Sequence, residues 1–475
     1  MRGIVSVAGY VPYRRLQRSA VAQVFGNGGG KGSRAVASHD EDTTTMGVEA
    51  ARLALRATPT VAPDGLWFAT ATPAYLDKTN ATAIHAALRL PAEVPAFDFG
   101  GALRSGVGAV VSALRAEGSG TTLVVLADMR DGMPTSADES AGGDGGAALV
   151  VGEDSPGHPA IAEYLGGASL TDEFLDRWRT VGDRRSKTWE ERFGENRYVA
   201  LGEQAWVSAL KGSGVTAEEI DKVVVTGMHA RSTKALGRKL GVKPESLVDD
   251  LSATVGQTGS AHVGLMLASI LEQSEPGQLV ALVALADGAD VLVFRTTPAL
   301  ADWSPSDSVA DQIAGGADLP YGKFLTWRGM VTPEPPRRPE PQRVSSTAAW
   351  RNEDWKYGFV GSKDRSSEAV HLPPSRISMK GGAVDDMEPI GRADSVATIA
   401  TYTIDRMAYS PSPPIVFAVV DFDGGGRFPV ELTDVEPDSV EIGDRVTMTF
   451  RKLFTADGIH DYFWKAKPLR AGAAD

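Results

Sequence analysis

The sequence contains no cysteine in 475 residues. This absence excludes disulfides, thiolate zinc sites, iron–sulfur clusters and every mechanism that uses a cysteine nucleophile. No run of about 18 apolar residues is present, so no membrane span is predicted. The opening Met1–Val7 is typical of a first strand and lacks the long apolar region of a signal peptide. We therefore expect a cytoplasmic protein that does not bind a membrane.

Basic residues are also fewer than acidic residues. Lys and Arg number 48 against 61 Asp and Glu, which gives a formal net charge of −13. An extended nucleic-acid interface needs a basic face to neutralise phosphates, so no nucleic-acid partner is expected. Hydrophobic residues at 42% and charged residues at 23% are typical of a globular protein. The length predicts two to four domains.

Residues 1–298 alternate short apolar runs with longer amphipathic stretches, which is typical of an α/β core with strands buried on both faces. The run Leu123–Asp128 is echoed 159 residues later by Leu282–Asp287, and a long helical stretch precedes each run. Two packed copies of one βα unit would produce this repeat. We therefore divide this region into an N-terminal half, 1–155, and a C-terminal half, 156–298.

The composition changes after Arg295. Residues 299–346 are rich in proline and are predicted to be a semi-rigid linker. From about residue 347 the pattern changes to short alternating runs separated by Gly, Asp and Pro, and five of these runs are predicted as strands. They are Ser395–Ile404, Ile415–Phe422, Arg427–Leu432, Arg445–Phe450 and Tyr462–Lys467. Five short strands fit a small closed barrel of the OB type over 347–475.

Several motifs resemble one family, the thiolase superfamily, and most closely its hydroxymethylglutaryl-CoA synthase and ketoacyl synthase III branch. In the first 298 residues they are Gly9–Leu16, Asp40–Met46, Tyr75–Ala81, Ala96–Gly106, Gly143–Ala147 and Val255–His262. Residues 347–470 resemble the rubredoxin-like plus OB-fold domain that accompanies thiolases, on the evidence of Gly443–Val446 and His460–Trp464.

The resemblance implies a duplicated, five-layered αβαβα core followed by a small all-β OB-fold domain. It also implies a homodimer and an acyl group carried as a thioester of CoA or of acyl carrier protein. Members of the family make or break carbon–carbon bonds, and their nucleophile is a cysteine at the N-terminus of a buried helix. A His together with an Asn or second His forms the oxyanion hole.

This chain departs from the family at the nucleophile. The alignment of Asp98–Gly106 places Leu103 where the cysteine belongs, and leucine cannot carry an acyl group. Ser105, two residues later, is the nearest hydroxyl, but it would need an adjacent base. The glutamate position of the synthases falls on Ala71, so synthesis of hydroxymethylglutaryl-CoA itself is not expected.

The other polar positions of the family site are also changed. The oxyanion histidine falls on Thr226, although a shift of one turn would make His229 its counterpart; the third polar position is Gln257. His262 lies where some relatives also have a histidine. Each histidine is a candidate base or oxyanion donor, and each is also explained by hydrogen bonding to backbone.

Candidate substrate-binding residues lie in two places. Arg184, Arg185 and Lys187 could meet CoA phosphates, with Trp189 stacking on the adenine. The alternative is a solvated basic turn with Trp189 packed against the protein. Backbone N–H groups near Leu103–Ser105 and between Gly256 and Gly259 could donate to a carbonyl oxygen.

No metal or cofactor is expected beyond CoA as the substrate carrier. The positions that match the two Cys-x-x-Cys pairs of the family's zinc ribbon are Lys363/Ser366 and Ser378/Gly381, which offer no soft ligands. The segment Trp350–Trp355 resembles a helix that docks this domain on a partner, and a simple surface helix is the alternative.

Two functions remain open from the sequence. The chain is either an acyltransferase-like or aldolase-like enzyme, acting in a Claisen or aldol step without an acyl-enzyme, with His229 or His262 as base. Alternatively, it is a non-catalytic subunit that binds acyl-CoA and holds a separate, cysteine-bearing thiolase.

Overall fold

The computed structural model describes residues 2–118 and 120–469. The chain forms two compact units: one comprises Met1–Ala37, Glu49–Ala81 and Ala92–Tyr321, and the other Ser38–Val48, Thr82–Pro91 and Gly322–Asp475. No helix among the described residues is long and apolar enough to cross a bilayer.

The strands in chain order are β1 (Arg2–Tyr10), β2 (Arg14–Gln17), β3 (Ser33–Val36), β4 (Gly65–Thr70), β5 (Ala96–Gly100), β6 (Thr122–Asp128), β7 (Gly145–Glu153), β8 (Ala162–Thr171), β9 (Arg177–Trp178), β10 (Lys187–Thr188), β11 (Lys222–Gly227), β12 (Leu279–Leu285), β13 (Gly288–Thr296), β14 (Ala317–Asp318), β15 (Val360–Asp364), β16 (Val370–His371), β17 (Met387–Gly391), β18 (Val396–Asp405), β19 (Ile415–Phe422), β20 (Arg427–Leu432), β21 (Arg445–Ala456) and β22 (Ile459–Pro468). The helices are α1 (Ser19–Phe25), α2 (Thr43–Arg56), α3 (Ala81–Ala87), α4 (Arg104–Arg115), α5 (Ala137–Ala141), α6 (Glu191–Ser213), α7 (Ala230–Gly237), α8 (His262–Leu271), α9 (Val309–Ala314), α10 (Tyr321–Trp327), α11 (Ser346–Arg351) and α12 (Glu353–Lys356).

The first unit is built on a nine-stranded sheet in the order β11-β12-β13-β8-β1-β7-β6-β4-β5. Its two halves repeat one pattern. In the N-terminal half β4 and β6 are parallel, and β7 and β1 follow antiparallel. In the C-terminal half β11 and β12 are parallel, and β13 and β8 follow antiparallel. The predicted α/β fold class with a duplicated core is therefore confirmed.

Two helices lie at the centre of this duplication. Every residue of α8 is buried, as expected of a helix that is apolar all round. On α4 the buried residues Val107, Val110 and Leu114 recur at helical spacing, and they belong to the same apolar cluster as α8. The N-termini of both helices thereby reach one place in the core, and this sets the position of the site.

Residues predicted as a proline-rich linker are partly folded. Helix α9, strand β14 and helix α10 lie within 309–327, and β14 pairs with β2 over Ala317 and Asp318. Helix α6 begins at Glu191. Its first turns are exposed and polar, so no apolar periodicity marks them.

The second unit contains a closed barrel in the strand order β18-β19-β20-β22-β21, which confirms the predicted OB-fold barrel. Before the barrel, β16, β15 and β17 form a three-stranded sheet in the region that resembles the family's zinc ribbon. Trp355 of α12 stacks on Phe359 and lies edge-on to Phe428, a residue of β20. Trp350 of α11 is exposed.

A buried carboxylate lies at the end of β15, in the segment that resembles the family's zinc ribbon. The Asp364 carboxylate accepts hydrogen bonds from the backbone N–H and hydroxyl of Ser366, both at 2.9 Å, and from the hydroxyl of Ser367. Hydrogen bonds from Ser367 and Ser378 lower the pKa of Asp364. This carboxylate crosslinks the loops by accepting hydrogen bonds. The absence of zinc here remains a prediction.

The barrel packs against residues 38–48 of its own chain through buried ion pairs. Arg451 of β21 pairs with Glu41 and, at 2.7 Å, with Asp434. Lys465 of β22 lies 3.0 Å from Asp40. The Arg451, Lys465, Asp40 and Glu41 side chains are at most 1% exposed.

Hydrogen bonds add to these contacts. The Tyr462 hydroxyl donates to Asp42 at 2.7 Å, and the backbone N–H of Lys452 donates to the carbonyl of Asp40 at 2.8 Å. The acidic run at 40–42, which the sequence showed only as a family motif, is thus a partner of this barrel.

Candidate functional site

A pocket lies in the first unit at the N-termini of α4 and α8, beside the end of β11. Its empty volume is about 310 Å³, open solvent at the mouth included. The lining residues are Leu103, Arg104, Val107, Thr226, Gly227, Met228, Gln257, Gly259, His262, Val263, Ala284, Leu285 and Ala286. The structure therefore brings together Leu103, Thr226, Gln257, Gly259 and His262, which the sequence proposed separately.

Leu103 occupies the N-cap of α4, with φ −61° and ψ −36°. Its side chain makes no capping hydrogen bond, and it forms part of the apolar wall together with Val107, Val263 and Leu285. The free N–H groups and the dipole of a helix favour negative charge at this end. The leucine side chain has no group that this field could ionise, so position 103 carries no nucleophile.

Arg104 follows Leu103, and all five of its N–H donors are used. Nε donates to Asp290 at 2.8 Å, and Nη2 to a second oxygen of the same carboxylate at 3.3 Å and to the Leu170 carbonyl at 3.0 Å. Nη1 donates to Thr171 at 2.9 Å and to the Asp287 carbonyl at 2.8 Å. A guanidinium has five N–H groups, so none remains for a ligand. Arg104 was not among the residues predicted from the sequence, although its position next to Leu103 was a usable signal.

Thr226 and Gln257 form a hydrogen-bonded pair in the pocket. Gln257 Nε2 donates to Thr226 Oγ1 at 2.9 Å, and Gln257 Oε1 accepts from the Gly259 N–H at 2.8 Å. Gln257 is 9% and Thr226 3% exposed. The pair presents uncharged hydrogen-bond donors, which suit a carbonyl oxygen.

His262 begins α8, but both of its ring nitrogens are occupied. Nδ1 accepts from the Thr258 N–H at 3.2 Å, which makes Nε2 the protonated nitrogen; Nε2 donates to the Asp250 carbonyl at 3.0 Å. Burial lowers the pKa of His262 to about 4, so the ring is neutral at pH 7. It has no free lone pair with which to act as a base.

His229 does not line the pocket. It is the N-cap of α7, where Nδ1 accepts from the Ser232 N–H at 3.1 Å and Nε2 donates to the Glu191 carbonyl at 2.9 Å. Ser105 is turned away as well, because its hydroxyl donates to the Gly100 carbonyl at 3.0 Å. For His229 this backbone bonding is the alternative that the sequence left open, and Ser105 likewise bonds to backbone and not to a base.

The predicted phosphate-binding residues lie on a separate hairpin. Strands β9 and β10 pair antiparallel, and Arg184 and Arg185 lie exposed in the connection between them. Lys187 is exposed on β10, and Trp189, just beyond it, is 58% exposed. None of the four lines the pocket. Their role in binding CoA remains a prediction.

Two glycines allow the loop before α8 to pack closely. Gly259 has φ +62°, and a Cβ there would lie 2.2 Å from Asp128 Oδ2. Gly256 has φ +85°, and a Cβ there would lie 2.5 Å from the Gly142 carbonyl oxygen. Asp128 also accepts from the N–H and hydroxyl of Ser260 at 2.7 and 2.8 Å. Gly259 lines the pocket, whereas Gly256 shapes the loop behind it.

Comparison with known proteins agrees with this architecture. Residues 210–293 match the family described as 3-oxoacyl-[acyl-carrier-protein] synthase III C terminal, and residues 392–451 match the C-terminal OB-fold domain of ChsH2. The chain is 28% identical over 294 residues to a hydroxymethylglutaryl-CoA synthase of Pyrococcus horikoshii, covering 60% of this chain and 83% of that protein. It is 29% identical over 310 residues to one of Methanosphaera stadtmanae, covering 62% and 88%.

Solved structures show the same fold. MvaS in complex with 3-hydroxy-3-methylglutaryl coenzyme A superimposes with a TM-score of 0.57 at 20% identity, covering 72% of this chain and 94% of that one. The 3-oxoacyl-[acyl-carrier-protein] synthase III of Aquifex aeolicus gives 0.52 at 20% identity, covering 62% and 100%.

Proposed function

Because the chain combines a thiolase-like core with an OB-fold domain of the ChsH2 type, we propose that it binds an acyl-CoA thioester and handles the acyl group without a covalent intermediate. One observation carries the proposal: the pocket at the N-terminus of α4 keeps the hydrogen-bond donors Thr226 and Gln257, although Leu103 fills the nucleophile position in the same pocket. The curated relatives are named hydroxymethylglutaryl-CoA synthases, and one solved relative, MvaS, is in complex with 3-hydroxy-3-methylglutaryl coenzyme A. An acyl carrier protein thioester is the other carrier that the fold relatives suggest.

The geometry favours a binding role over catalysis. Removing a proton next to a thioester carbonyl requires a positioned base. Among the pocket-lining residues, His262 has both nitrogens engaged and Arg104 has every N–H engaged. One observation supports the alternative, a Claisen-type or aldol-type enzyme without an acyl-enzyme. The Thr226–Gln257 donor pair could also polarise a carbonyl during reaction.

Calorimetry and turnover assays on the full chain test the proposal. Acetyl-CoA and acetoacetyl-CoA are expected to bind, and intact-protein mass spectrometry is expected to show no acyl adduct. Ala286→Phe, which fills the pocket, should abolish binding, whereas Ala200→Phe on the exposed face of α6 should leave it unchanged. Binding without turnover supports the subunit role, and turnover without an adduct supports the enzyme. Failure to bind any thioester, or equal binding by the Ala286→Phe variant, contradicts the proposal.

We also propose that the protein forms a homodimer through β5. This strand ends the nine-stranded sheet and pairs with β4 on one side only. Phe97 on it is 56% exposed. An open strand edge with an apolar side chain is a template for pairing with another strand. Light scattering should report a dimer. Phe97→Lys should convert it to a monomer, whereas Val207→Lys on α6 should leave it dimeric. If the protein without substitutions is a monomer, this proposal is wrong.

If the subunit role holds, a cysteine-bearing thiolase is the expected partner. Adding such a thiolase should produce a joint complex and activity that neither protein has alone. Turnover by this protein alone contradicts that role.

A further inference from the structure

Arg130, just after β6, carries a buried charge that no described residue pairs with. The residue is 7% exposed. Its guanidinium group makes no hydrogen bond or ion pair with any described residue, and its Nε is sealed from solvent without an acceptor. Two other buried arginines, Arg34 and Arg451, each pair with a carboxylate. A buried charge without a partner is strongly unfavourable, so an anion supplied by a ligand would stabilise Arg130.

The carboxylate that acts most strongly on Arg130, that of Asp128, has no capacity left for it. Asp128 Oδ2 accepts from the N–H and hydroxyl of Ser260 at 2.7 and 2.8 Å. Its Oδ1 accepts three more hydrogen bonds of 2.8–3.0 Å, from Thr70, Ala71 and Thr72. A carboxylate offers about four lone-pair sites, and five uncharged donors already fill them.

The other charged groups that act on Arg130 leave the surroundings positive. Arg177 on β9 pairs with Asp138 at 2.6 Å. Arg179, just beyond β9, is exposed and has no carboxylate partner among the described residues. Burial lowers the pKa of Arg130, Asp128 raises it, and these two arginines lower it again. Three guanidinium groups against two carboxylates leave one positive charge, which matches a single monoanion.

This cluster is separate from the pocket at α4, although it adjoins one loop of that pocket. A Cβ at Gly259 would lie 3.0 Å from Arg130 Cδ, so the absence of a side chain at 259 leaves the room that Arg130 occupies. None of Arg130, Arg177 and Arg179 lines the pocket. A ligand at Arg130 therefore uses donors other than Thr226 and the N-terminus of α4.

From these contacts we infer that Arg130 forms a binding site for the carboxylate of a small organic acid, with Arg179 adding positive charge at the exposed side. A carboxylate carries one charge, and its two oxygens match two N–H groups of a guanidinium in one plane. A phosphate dianion would exceed the positive charge that the cluster leaves unpaired. The inference goes beyond the proposed function and does not depend on thioester binding.

Calorimetry on the full chain with sodium acetate tests the ligand class, with ionic strength held constant by sodium chloride. Acetate is expected to bind at one site. Acetamide has nearly the same shape but no charge, so it is expected not to bind. Equal binding of acetamide, or no saturable binding of acetate, overturns the inference. Tighter binding of inorganic phosphate than of acetate contradicts the assignment to a carboxylate.

Substitutions test whether acetate binds at Arg130. Arg130→Met should weaken acetate binding about 10- to 100-fold, as expected for hydrogen bonds to a charged group. Arg179→Met removes an exposed charge and should weaken it at most about 5-fold. Arg238→Met, at the exposed end of α7, is the control and should bind acetate like the unchanged protein. Unchanged acetate binding in Arg130→Met overturns the inference.

Thermal unfolding separates this binding role from a structural one. Arg130→Met removes a buried charge without a partner, so in the absence of acetate it should melt no lower than the unchanged protein. Acetate should raise the melting temperature of the unchanged protein and not that of Arg130→Met. If the variant melts lower and still responds to acetate, Arg130 is structural and the inference is wrong.

Arg130→Lys provides a second variant that keeps the positive charge at this position. A lysine lacks the planar pair of N–H groups, so acetate binding should fall about 10-fold while the protein stays folded. Acetate binding by Arg130→Lys as tight as that of the unchanged protein contradicts the paired contact with the guanidinium group.

Discussion

The Leu103→Cys variant is expected to become acylated when it is incubated with acetyl-CoA, whereas the unchanged protein stays free of adduct. Position 103 is the N-cap of α4 and lines the pocket. A thiol at a helix N-terminus has a lowered pKa, so part of it is thiolate near pH 7 without a neighbouring base. The Thr226 donor would stabilise the oxyanion that forms when the thiolate attacks the thioester carbonyl.

Intact-protein mass spectrometry measures this directly as the added mass of one acetyl group. Ser105→Cys is the matched control, since it places a thiol in the first turn of the same helix at a side chain directed to the Gly100 carbonyl and not to the pocket. Equal labelling of the two variants would show that acylation reflects general thiol reactivity. No labelling of Leu103→Cys under conditions where acetyl-CoA binds would mean that the carbonyl does not lie at α4.

The second large effect is on stability. Arg451→Met is expected to lower the free energy of unfolding by about 3–5 kcal/mol, because it leaves buried carboxylates without their partner. The Arg451 side chain is fully buried, and its carboxylate partners Glu41 and Asp434 are 0% and 4% exposed. Hydrogen exchange should rise in two places, the backbone of 38–48 and that of β21.

Arg445→Met is the control for this prediction. Arg445 begins the same strand and pairs with Asp423, but both side chains are about half exposed, at 43% and 57%. Surface pairs of this kind contribute about 0–1 kcal/mol. If both variants unfold at the same denaturant concentration, burial of the Arg451 pairs adds nothing to stability.

The ion pair between Asp40 and Lys465 makes the stability of the second unit depend on pH. Burial alone would raise the pKa of Asp40, but the Lys465 ammonium group outweighs it and holds that pKa well below its usual value. A depressed carboxyl pKa contributes stability that is complete above the unfolded value of about 4 and is lost as pH falls further. The Asp40–Lys465 contact should therefore begin to lose its contribution to the free energy of unfolding as the pH falls below about 4.

Some of these features could be read from the amino-acid order. The absence of cysteine fixed the chemistry available at position 103, and the family motif located that position. Strands such as β6 and β12 follow from short apolar runs, and the barrel strands β19 and β20 were predicted at their observed bounds. Each of these depends on local pattern or on composition, which the order of residues carries directly.

Other features were decided only by packing. His229 and His262 look alike in sequence, yet one caps α7 and the other lies at the pocket with both nitrogens engaged. The donor direction of Thr226 depends on an amide that a backbone N–H orients. Asp40 meets Lys465 across more than 400 residues of chain. Hydrogen-bond and ion-pair partners so distant in sequence are set by tertiary geometry, and no local periodicity encodes them.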